Sequence, residues 1–100
     1  MAVSFAPAAV AEGELPATCP ADLAALDATF VETQQRLETA WKSEDDAQKC
    51  AAIRHHLEVM QHAASIFDVC TTGHGREENM GQAIGTIADF EDIASELQCP

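Results

Sequence analysis

Apolar residues recur along this chain at steps of three and four, in three successive blocks. Leu23, Leu26, Phe30, Leu37 and Trp41 form one stripe ending near residue 42. Ile53, Leu57, Met60, Ala64 and Phe67 form a second, widened by Val59, Ile66 and Cys70. Met80, Ala83, Ile84, Ile87, Phe90, Ala94 and Leu97 form a third. Each block has the period of an amphipathic helix, and no segment alternates with the period of a strand. Trp41, at the end of its stripe, is expected in the core or as an end plug, with an exposed anchor for a partner as the alternative.

Local chemistry marks the helix ends. Cys19-Pro20 opens the first helix, because proline suits the first helical position, and Asp22 favours the positive end of the dipole. Ser43-Glu44-Asp45-Asp46 opens the second. Ser43 with Asp46 approximates a capping box, with the three acids in the first turn. Thr71-Thr72-Gly73-His74-Gly75 reads as the break after it, so the third helix is expected from about Glu77 to Gln98. Pro7, Gly13 and Pro16 leave residues 1–17 as a flexible arm, and residues 18–100 as a single domain.

The four cysteines turn this pattern into an architecture. Short connections make successive helices antiparallel. Cys19 and Cys70 then fall at one end, Cys50 and Cys99 at the other. A disulfide needs Cα atoms within roughly 7 Å, while helices of this length span about 30 Å. Only the pairing Cys19–Cys70 with Cys50–Cys99 survives. The expected fold is all-α, a three-helix up-down-up bundle clamped at both ends by disulfides. Zinc is the weaker use of these thiols, because no C-x-x-C pair is present.

Paired cysteines in a small chain point to an oxidising compartment. Residues 2–11, AVSFAPAAVA, agree: they are small and apolar, and Ala9-Val10-Ala11 has the form of a signal-peptidase site. The arm therefore reads as the remnant of an export signal, and the protein as periplasmic, with a place outside the cell as the alternative. An apolar tail without that role fits the same residues. No apolar run approaches the ~20 residues that span a bilayer.

Charge narrows the partners. Seventeen acids face five bases, for a net charge of −12. Residues 77–100 hold six acids and no base. Nucleic acid and anionic membrane are disfavoured, while cations and basic proteins are favoured. Solubility alone also accounts for such a charge.

Asp89, Asp92 and Glu96 are the sharpest candidate site. Steps of three and four place them on one helical face, where like charges repel and the helix C-terminus disfavours them. A bound hard cation, calcium-like or a lanthanide, would compensate for this, with water or a second chain completing the coordination. A solvated acidic face is the plainer alternative. His55, Glu58 and His62 share another face and could present two imidazoles and a carboxylate to zinc or copper. They lack the H-E-x-x-H spacing, and solvated polar residues explain them as well. His74 with Glu77 and Glu78 makes a looser cluster. No nucleophile motif, phosphate loop or tyrosine is present, so the chain reads as a binder and not as an enzyme.

In size, acidity and export, the chain resembles the periplasmic lanthanide-binding chaperones of methylotrophic bacteria, the LanD type. The resemblance is one of profile and carries no residue across. It implies a lanthanide ion as ligand, a surface site with few protein ligands, a metal-bridged homodimer, and delivery of metal to a periplasmic partner such as lanmodulin. An EF-hand loop of the lanmodulin kind is absent from this chain. Size and helical content also resemble acid-responsive periplasmic chaperones of the HdeA type. An immunity or inhibitor protein directed at a basic toxin is a third reading of the acidic surface.

Overall fold

A computed structural model describes residues 15–100 of the chain. The expected signal-peptidase site, and most of the expected arm, lie outside these residues. Three helices follow in order: α1 (Cys19–Lys42), α2 (Asp46–Cys70) and α3 (Gly73–Glu96). They run up, down and up, as the pattern predicts.

Helix α1 begins as expected, with proline in its first turn and Asp22 beside it. The start of α2 differs from the expectation. Asp45, not Ser43, is the cap, and its side chain accepts a hydrogen bond from the Ala47 backbone N–H at 2.9 Å. Ser43 Oγ accepts from the Asp45 N–H at 3.0 Å, one step earlier. Of the three acids, only Asp46 lies in the first helical turn.

The largest correction is at α3, which starts at Gly73 instead of Glu77. Only Thr71 and Thr72 separate it from α2. Gly73 takes a φ of +62°, a conformation open to glycine at little cost, and this lets so short a connection reverse the chain. Arg76 then reaches back across the turn to pair with Asp68, and its Nε also donates to the Asp68 carbonyl. The glycines that look like breakers therefore open a helix held by its neighbour.

Helix α3 ends at Glu96, before the expected Gln98. Gln98 is left-handed, with φ 56°, and the Cys99 N–H donates to the Ala94 carbonyl at 2.9 Å. This is a helix-ending turn of the Schellman kind, built without glycine. It turns Cys99 toward Cys50.

Both expected disulfides form. Cys19–Cys70 has its Cα atoms 5.3 Å apart, and Cys50–Cys99 has them 5.5 Å apart. They close loops with sequence separations of 51 and 49 residues. Each is worth roughly 4 kcal/mol in the chain-entropy account.

Helix α2 is the shared element. Helices α1 and α3 each pack along it, yet no Cα atom of α1 comes within 8 Å of one in α3. Packed helices normally sit 8–10 Å apart axis to axis, so α1 and α3 are splayed. The core forms two apolar clusters. The upper one joins Leu37, Ala40, Ala52, Ile53 and Phe90. The lower one joins Leu26, Ala63 and Phe67, with Leu23, Phe30, Ile66 and Met80 packed against it. Burying a side chain such as Leu37 or Ile53 stabilises the fold by roughly 2 kcal/mol.

Two apolar residues of the stripes lie outside the core. Trp41 is 38% exposed and Ile84 is 58% exposed. Both lie on α helices whose other apolar residues already fill the side facing α2.

Candidate functional site

The carboxylates of α3 stand where the helical spacing puts them. Asp89, Asp92 and Glu96 are all exposed. None of them takes part in an ion pair among the described residues. The rise of the helix separates Asp89 from Glu96 by about 10 Å, with Asp92 one turn from each. Among the described residues, no group of three or more His, Cys, Asp or Glu side chains is placed to hold a metal ion within one chain.

The imidazole candidates do not assemble either. His55 is half-buried and its Nε2 lies 3.9 Å from a Glu32 carboxylate oxygen, across the α1–α2 interface. Glu58 and His62 are exposed. His74 Nε2 meets Glu78 at 2.8 Å, an exposed pair one turn apart in the first turns of α3. Glu77 is not its partner.

The structure adds a polar group inside the bundle. Thr33, His56 and Asn79, one from each helix, are essentially fully buried. Thr33 Oγ1 and His56 Nδ1 share a hydrogen bond at 3.1 Å. The His56 ring tilts against Phe90, with ring centroids 4.4 Å apart. Its Nε2, and both amide atoms of Asn79, have no hydrogen-bonding partner among the described residues. Burial, and to a lesser degree the neighbouring His55, pulls His56 down from 6.5 to about 4. The imidazole is therefore neutral in the folded chain at neutral pH.

The pattern held a signal for these residues. Thr33 fills the gap between Phe30 and Leu37, and His56 lies three positions after Ile53 and four before Met60. Asn79 lies four before Ala83. Each sits within the apolar stripe of its own helix. A polar residue inside such a stripe is buried unless the helix turns away.

An open groove lies where α1 and α3 splay. It has a volume of about 480 Å³ and an apolar lining of Leu37 and Trp41 from α1, Ile93 from α3 and Leu97 just after α3. Glu38, Glu96 and Lys49 complete its wall. Helical spacing brings Glu96 to both the groove and the α3 acidic face.

Comparison with family models, with curated proteins and with solved structures finds no match to this chain.

Proposed function

We propose that the protein binds a hard cation, a lanthanide or calcium-like ion, through the carboxylates of α3, and that a second copy of the chain completes the site. The exposed set Asp89, Asp92 and Glu96 carries this reading. It lies on a helix that holds no base beyond Arg76, and Arg76 is engaged by Asp68 at the far end. Close carboxylates at a helix C-terminus repel one another and oppose the dipole, and a multivalent cation reverses both terms. Two carboxylates from one helix leave most of a large ion's coordination unfilled. Two such helices meeting at one ion supply four, and water the remainder. An ion shared between chains is open to exchange, which suits hand-over to a periplasmic partner such as lanmodulin. The disulfides suit an oxidising compartment such as the periplasm.

Titration with terbium, read by luminescence and by mass in solution, tests this. The expected result is binding at half an ion per chain, together with doubling of the mass. The Asp92→Asn variant, which breaks both carboxylate pairs, should lose both signals. Absence of binding at micromolar terbium, or unchanged binding by Asp92→Asn, would sink the proposal.

An acid-responsive chaperone role rests on a different observation, the buried neutral His56. Protonating it in the bundle would force a charge into an apolar layer, so acid would favour opening. Protection of client proteins confined to pH below about 4, and moved by a His56 substitution, is the result that would favour this role.

A further inference from the structure

We infer that the α1–α3 groove is a docking site for a cationic amphipathic segment of another protein. The inference goes beyond cation binding and does not depend on it. Its first ground is the shape of the fold. Helices α1 and α3 both pack on α2 without close backbone approach to each other, and at the end that carries Trp41 and Glu96 a groove opens between them. Leu37 and Ile93, which pack in the core, form its floor, and Trp41 and Leu97 extend the apolar lining. Trp41 is 38% exposed, an unusual place for the one tryptophan of a chain this size. An exposed tryptophan at the edge of an apolar groove is a common binding anchor.

The second ground is charge. Glu38 and Glu96 stand on opposite walls, one from each splayed helix, and Lys49 is the single base lining the groove. Lys49 itself lies 3.8 Å from Asp46. Of the two bases of α1, Arg36 is paired with Glu32 at 3.0 Å, and Lys42, which follows Trp41 one turn beyond Glu38, is not among the residues lining the groove. An apolar floor between acidic walls matches a helix with an apolar stripe and flanking Lys or Arg residues. A second copy of this chain is a poor occupant, because each copy carries −12. The residues before α1 are a poor occupant too: Glu12 and Glu14 are charged, and no base accompanies them.

Trp41 reports on the groove directly, since no other tryptophan contributes to emission. The experiment uses the full chain with EDTA present, so that carboxylate-bound ions play no part. The probe is a synthetic helical peptide of Leu and Lys with an apolar stripe, set beside a Leu/Glu peptide of the same pattern and beside polylysine. The Leu/Lys peptide should shift Trp41 emission to the blue with saturation, and the other two should not. The exposed double variant Glu38→Lys/Glu96→Lys, checked by circular dichroism for retained helix, should bind at least tenfold more weakly. An Ile93→Ser variant should weaken binding while leaving the charge unchanged. Equal binding of the Leu/Glu peptide would overturn the inference, as would an equal shift with polylysine or undiminished binding by the double variant. A saturating Trp41 shift that comes from self-association without peptide would overturn it too. Loss of terbium binding in Asp92→Asn leaves this outcome untouched, so the two proposals fail separately.

Discussion

The polar residues inside the bundle and the carboxylates on the outer face of α3 stand in opposite settings. Thr33, His56 and Asn79 are shut away from water, while Asp89, Asp92 and Glu96 face it. Burial makes the first set costly, because a lost hydration shell must be replaced by protein partners. Only the Thr33–His56 contact supplies one among the described residues. Exposure makes the second set cheap, since water and salt screen like charges on a surface. Of the interior groups His56 alone titrates and so adds its own pH dependence to stability, and the exterior groups can change binding with little effect on the fold.

The sharpest way to break this comparison is through His56. Its folded pKa lies near 4, below the ordinary 6.5 of the unfolded chain. Below pH 6.5 the unfolded chain takes up a proton that the folded chain refuses. Stability is full above that pH, falls as pH drops toward 4, and flattens below. The loss across the window is about 3 kcal/mol. In a His56→Leu variant this component should vanish. Urea unfolding of the two proteins at intervals from pH 7 to pH 4 measures it as the difference between two curves, which cancels the titration of the surface acids. Parallel curves would show that His56 is no more perturbed than an exposed histidine.

Asn79 offers a smaller effect of opposite sign. Replacing it with leucine, which has the same number of side-chain heavy atoms, removes two buried polar atoms without partners in the chain. The expected change is a gain of about 1–2 kcal/mol, seen as a higher thermal midpoint. A loss of similar size would mean that the amide is satisfied in solution.

The exposed set should give the smallest effect on stability. Asp92→Asn should raise stability by a few tenths of a kcal/mol, through relief of repulsion and of the unfavourable helix end. Thermal melts in EDTA check this. A large destabilisation would place Asp92 in the structural framework and undo the contrast with the interior.

The fold was largely legible because helical periodicity and chain reach are local or geometric constraints. Three apolar stripes need three helices, and helices about 30 Å long leave one way to join the cysteines. The start of α3 was not legible. Glycine and histidine at residues 73–75 favour a turn in isolation, and the Arg76–Asp68 pair across the connection is a contact with residues already placed by α2. The candidate carboxylates were legible as a face, since helical spacing alone puts them there. Whether two chains bring such faces together is not a property of spacing.

By itself, then, the sequence determined the helices, their order, the disulfide pairing and the unneutralised acids of α3. Tertiary structure alone decided that α1 and α3 splay apart, that Trp41 lines the resulting groove, and that His56 is buried against Thr33 and Phe90. The division has a physical cause. Period and reach are set along one helix, whereas the gap between two helices, and the water excluded from it, depend on how both pack against a third.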